Sequence, residues 1–170
     1  MERFDVRRGL IKEVEGNGGL PKMASEFFDK VEAISESAFS GSHGVMTSIE
    51  ARFDRGALIV DVTNVPPDFD DSEAMKSAMD DRKRWTSFLD SATGYNSKQR
   101  GDKAKEWAKK ASKSKSAISA ARHFMDMSEN ISEEKKNSAN QLISEIEALL
   151  EDNDNTKAAG RAEKLNKLFN

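Results

Sequence analysis

Chain breakers are spread so unevenly along this sequence that they divide it into two kinds of structure. Residues 1–67 hold all three prolines and seven of the ten glycines, whereas residues 68–170 hold only Gly94, Gly101 and Gly160. Proline fixes φ and removes an N–H, and glycine adds backbone freedom, so both punctuate regular structure. The first part is expected to turn often and the second to be helical. A length of 170 residues suits one domain, or a small domain with an appendage, and excludes two large ones. Leu, Ile, Val and Phe together number only 33, close to the composition of unfolded chains. The net charge of -3 supplies little self-repulsion, so a folded protein is expected.

Hydrophobic spacing fills in the elements. Phe4 and Val6 alternate with charged residues before Arg8-Gly9, which predicts a short strand. Pro21 suits a first helical position, and Ala24, Phe27, Phe28, Val31, Ile34 and Ala38 recur at three- and four-residue spacing, predicting a helix that ends near Gly41. Val45 to Phe53 and Leu58 to Val62 alternate on either side of Asp54-Arg55-Gly56, the pattern of a β-hairpin. Asp70 with Glu73 reads as a capping box for a helix closing near Gly94, and Asn96 with Gln99 opens another from about Ser97 to Met127, weakest at Gly101. The tail adds an amphipathic segment, a polar break at residues 152–155 and a short closing helix. The expected fold class is α+β: a small antiparallel sheet in β-α-β-β order, covered by helices, in a domain of residues 1–95. A basic and amphipathic helical extension, residues 96–170, is expected to pack on it.

Charge is as uneven as the breakers. Residues 82–123 contain 12 Lys and Arg against Asp90, Asp102 and Glu106, while both flanking parts are net acidic. Projected on a helix, Lys98, Lys105, Lys109 and Lys113 fall within about 80° of one another, and Trp107, Ala111, Ile118 and Met125 lie on the opposite side. A lysine row of this kind attracts polyanions, because neutralised phosphates release condensed counterions without any base being read. Arg82, Lys83 and Arg84 extend the basic stretch, and RNA or DNA is the expected partner. The competing reading is a solvated helix face held by the ion pairs Glu106–Lys110 and Asp102–Lys105, worth a few tenths of a kcal/mol each. Trp85 and Trp107 sit on apolar faces and are expected to be buried rather than to stack on bases, and Tyr95 is expected to close a corner against the core.

A second class of function rests on the tail. Leu142, Ile143, Ile146, Leu149 and Leu150 form a stripe too apolar to leave in water. Such a stripe suits an interaction adaptor or homodimer, in which the basic segment meets an acidic protein surface and the tail helices supply the apolar contact, as well as docking on the rest of the chain.

Little points to catalysis. With no cysteine and only His43 and His123, thiol nucleophiles and Cys- or His-rich metal sites are excluded. His43, between Ser42 and Gly44, has no acid or nucleophile near it in sequence and reads as a turn residue. Asp68, Asp70 and Asp71 fit a helix N-terminus better than a cation site. Gly16-Asn17-Gly18-Gly19 lacks the order of a phosphate-binding loop. No serine stands in a nucleophile motif. No enzyme activity, cofactor or metal is expected, and with no long apolar run and no secretory leader the expectation is a cytoplasmic protein without a membrane partner.

Phe88-Leu89, then Ala92-Thr93-Gly94-Tyr95, then Lys98 and Arg100, together with Arg7-Arg8-Gly9 near the start, resemble the signature of a small archaeal domain family of unknown function. The likeness covers residues 1–115 and does not account for the tail. It implies an archaeal cytoplasmic protein and carries no activity with it.

Overall fold

The computed structural model describes residues 1–170, and the chain divides into two compact units, Met1–Lys103 and Ala104–Asn170. The first unit is α+β. Its strands are β1 (Glu2–Asp5), β2 (Lys30–Ser35), β3 (Ala38–His43), β4 (Met46–Asp54) and β5 (Ala57–Asn64); α1 (Leu10–Gly16) and α2 (Gly19–Ser25) lie between β1 and β2 in sequence, and α3 (Ser72–Thr93) follows β5. The five strands form one antiparallel sheet in the order β1-β5-β4-β3-β2. Along β4, Met46, Ile49, Ala51 and Phe53 are buried while Glu50 and Arg52 are exposed, the alternation of a sheet with one face in the core. Directly opposed residues share that face: Phe39 lies across from Ala51, and Phe53 from Leu58, which also faces Phe4. Leu10, Val14, Leu20, Ala24, Phe28, Phe88 and Leu89 from the helices complete the core.

The sheet has two more strands than the β-α-β-β order allows. Helix α2 stops at Ser25, and the expected helix through Gly41 is instead the β2–β3 hairpin. Val31, Ile34 and Ala38 satisfy a helical period by coincidence. Val31 and Ile34 are β-branched, which favours a pleated strand, and Ile34 is 68 % exposed rather than facing a core. Ser37 turns the chain, its N–H donating to Ser35 Oγ at 3.2 Å. The hairpin then brings Phe39 onto Phe28, with ring centroids 6.1 Å apart. Tertiary burial of these rings overrides the local period. Helix α1 is likewise an element that the expected order omits.

The N-cap of α3 stands one residue later than expected. Asp71 is the N-cap, and its Oδ1 accepts from the N–H groups of Glu73 and Ala74 at 2.9 and 3.3 Å. Asp68 Oδ1 accepts from Asp70 N–H, so both carboxylates are engaged by the turn. The next helix, α4 (Ser97–Met127), runs unbroken through Gly101.

In the second unit, α4 from Ala104 onward joins α5 (Glu133–Glu151) and α6 (Asn155–Phe169). Ser132 caps α5 and Asp154 caps α6. The buried cluster is Ala117, Ile118, Ala121, Ala139, Ile143, Ile146, Ala158, Ala162 and Leu165, and its alanines let helix backbones approach closely. Ion pairs Arg122–Glu147 at 2.9 Å and Arg161–Glu145 at 2.8 Å border it. No helix is long and apolar enough to cross a membrane.

Candidate nucleic-acid interface

Helix α4 separates its side chains as the 3.6-residue period requires. Lys98, Lys105, Lys109 and Lys113 are exposed, while Ala117, Ile118 and Ala121 are buried and Trp107, Ala111 and Met125 half-buried. At 1.5 Å rise per residue, Lys105, Lys109 and Lys113 follow one another at about 6 Å intervals. Lys109 and Lys113 enter no ion pair, so their charge faces solvent. Lys110 lies off the row and donates to Thr156 Oγ1 at 3.2 Å. The neighbouring Ser114 is fully buried, and its hydroxyl donates to Lys110 O at 2.9 Å.

Arg82, Lys83 and Arg84 are exposed on α3, but they point in different directions along its turn. Lys83 Nζ lies 3.4 Å from Asp80 Oδ1, and Arg84 Nη1 donates to Phe27 O at 3.4 Å. Arg82 lines a cleft of the first unit together with Trp85. Trp85 and Tyr95 are half-buried, and Trp85 packs 5.9 Å from Phe28 and 5.5 Å from Phe88 between ring centroids.

The tail stripe is enclosed within its own unit. Ile143 and Ile146 are buried there, and Leu142, Leu149 and Leu150 pack against the same cluster. Its apolar demand is met inside the chain.

The residues from Thr93 to Arg100 build the α3–α4 corner. Gly94 adopts φ 71°, the left-handed conformation that ends a helix, and a Cβ there would lie 3.0 Å from Arg7 Cβ. Thr93 O accepts from Arg7 N–H at 2.8 Å, and Thr93 Oγ1 donates to Leu89 O at 2.6 Å. Asn96 and Gln99 form a reciprocal capping box, each side-chain oxygen accepting the other's N–H at 3.0 Å. Arg100 is buried. Its guanidinium pairs with Asp90, donates to Tyr95 O and to Ser97 Oγ, and stands 5.9 Å from the Phe4 ring centroid. One cation of the basic stretch is therefore a structural clamp, unavailable to a phosphate.

His43 is not an isolated turn residue. Its Nε2 lies 3.3 Å from Asp81 Oδ1 and its Nδ1 3.0 Å from Asp29 Oδ2, although the Nδ1 contact is too misaligned to count as a hydrogen bond. Asp81 is itself buried, and its Oδ2 accepts from Val45 N–H at 3.0 Å. A carboxylate of α3 is thus seated in the β3–β4 turn. Gly44 makes room for it: its φ is 51°, and a Cβ would come within 1.9 Å of Asp81 Oδ2. Gly44→Ala is expected to displace Asp81 and to destabilise the unit by about 1–3 kcal/mol, read as a lower denaturant midpoint.

No curated protein and no solved structure shows a significant match to the chain. Residues 1–106, more than half of its length, match the family model for a domain of unknown function (DUF5611), and the chain belongs to that family.

Proposed function

We propose that the protein binds RNA or DNA non-enzymatically, through the lysine face of α4, with little sequence preference. The observation that carries this reading is the segregation along one helix: Lys105, Lys109 and Lys113 stand exposed at four-residue intervals, while Ile118 and its alanine neighbours are buried. Binding of this kind comes from counterion release and is read by salt dependence. If the four lysines neutralise four phosphates, log K falls against log salt with a slope of roughly -3.6 on duplex DNA and about -2.8 on single strands. Substituting Gln at Lys105, Lys109 and Lys113 together is expected to flatten the duplex slope to roughly -0.9 and to lower affinity more than tenfold at low salt. Unchanged affinity in the triple variant overturns the assignment. An archaeal, cytoplasmic setting, which the family resemblance implies, is compatible with this reading but carries no part of it.

A second reading, an interaction adaptor or homodimer acting through the C-terminal helices, draws on apolar surface at the end of α4. Phe124 is 42 % and Met127 72 % exposed. Phe124→Ser with Met127→Ser is expected to turn a dimer into a monomer in light scattering if that reading holds. Under the nucleic-acid reading the same variant keeps its affinity.

A further inference from the structure

The core of the first unit opens into a cleft of about 620 Å³ between the sheet, at Met46, Val60 and Val62, and α3, at Met75 and Met79, with Trp85 beside them. That volume is of the size that takes up a ligand or an inserted side chain. Thioether side chains repack readily around an apolar group, and Met79, on the α3 wall, is 59 % exposed.

The loop from β5 to α3 starts in this cleft and ends outside it. Val65, Pro66 and Pro67 line the cleft, and two residues further on Phe69 stands 74 % exposed. The segment that carries it is stiff. Two prolines fix their own φ, Asp70 N–H donates to Asp68 Oδ1 at 3.0 Å, and Asp71 N–H donates to Asp68 O at 3.2 Å. A ring held out on such a turn loses little freedom when a contact buries it.

Charge marks both parts of this surface. Asp68 and Asp71 are engaged by main-chain N–H groups, but the Asp70 carboxylate accepts no hydrogen bond and forms no ion pair within the chain. On the α3 wall of the cleft Arg82 is exposed and unpaired, since Glu2 and Asp61 of the same lining lie beyond ion-pair distance from it. One patch thus offers an apolar knob beside a free carboxylate and, next to it, an apolar hole beside a free guanidinium. A patch that carries both halves of a contact is self-complementary, and a two-fold axis brings each half onto its counterpart in a second copy. An occupant of the cleft alone would leave Phe69 in water. A second copy covers both.

We propose that the protein forms a two-fold dimer through its first unit, with Phe69 of each copy entering the cleft of the other beside Met79, and Asp70 of each pairing with Arg82 of the other. The contact uses no residue of α4. It is therefore independent of the nucleic-acid reading, and it differs from an adaptor acting through Phe124 and Met127.

The test is light scattering of the full chain over a concentration series reaching the millimolar range. The mass is expected to rise from that of a monomer to twice that value. Phe69→Ser and Met79→Glu, both at exposed positions that the fold does not need, are each expected to weaken association by at least about tenfold. Mixed, the two variants regain association that neither shows alone, because the Met79→Glu chain brings an intact Phe69 to the intact cleft of the Phe69→Ser chain. Asp70→Arg and Arg82→Asp are each expected to weaken the dimer roughly tenfold, and both substitutions in one chain restore it. Phe124→Ser with Met127→Ser leaves this dimer intact. In a Trp107→Phe background, where Trp85 is the only tryptophan, Trp85 emission shifts with the same concentration dependence as the mass. A monomer throughout the series overturns the proposal, as does a dimer that survives Phe69→Ser, one that the double charge reversal fails to restore, or one lost with Phe124 and Met127. A monomer whose Trp85 emission responds saturably to added decanoate overturns it too, and makes the cleft a small-molecule site.

Discussion

Phe88→Ala is expected to lower the stability of the first unit by roughly 3–5 kcal/mol, the range for removing a large aromatic side chain from a core. Phe88 is fully buried, and its ring is the hub of an aromatic cluster. Centroids of Phe27, Phe28, Phe39 and Trp85 lie 5.8, 5.0, 5.7 and 5.5 Å from its own, and edge-to-face pairs add to the area that they bury. The cavity borders residues from the α2–β2 turn, β3 and α3 at once, so collapse of any one element cannot fill it. Unfolding followed by Trp85 emission in the Trp107→Phe background reads this unit specifically. A loss below about 1 kcal/mol would show that the cluster repacks and that Phe88 is not its centre.

Arg100→Ala is expected to cost about 3 kcal/mol, because the substitution strips donors from Tyr95 O and Ser97 Oγ and leaves Asp90 without its counter-ion. Asp90 is 44 % exposed and can recover hydration, so the main loss falls on the buried side of the clamp. Arg100→Lys rescues little, since an ammonium cannot reproduce the planar fork that serves three acceptors. Thermal melts of both variants test this. A variant that melts like the parent but loses nucleic-acid affinity would move Arg100 from the architecture to the phosphate-contacting set.

Local signals carried most of what was legible in the sequence. The hairpin at Asp54-Arg55-Gly56, the close of α3 at Gly94 and the Asn96–Gln99 box each depend on a few adjacent residues, and each stands where those residues place it. The β2–β3 hairpin was hidden because Val31, Ile34 and Ala38 fit two periods, and only the pairing of Phe28 with Phe39 decides between them. The His43–Asp81 contact joins residues 38 apart in sequence, beyond the reach of any motif. A trace of it exists nevertheless. Asp81 falls in the same helical register as Ala78, Trp85 and Phe88, where a carboxylate without a buried partner is too costly to keep. The lysine row was readable because helix α4 has one long period, and the structure leaves Lys98, Lys105, Lys109 and Lys113 exposed.

The pairing of β1 with β5 also sets a timetable. Strands β2 to β5 close onto their immediate neighbours in sequence, whereas Glu2 must find Val60 and Asp5 must find Ala57. On the ribosome β1 emerges about 55 residues ahead of its partner, which at about 5–20 residues per second is a wait of roughly 3–11 s. Contacts this distant in sequence form slowly even in the released chain. Until β1 arrives, the stretch Ala57–Val60 of β5 lacks its outer neighbour. Sheet closure in this protein thus ends with a long-range return, after the three hairpins of β2 to β5 have formed from neighbouring sequence.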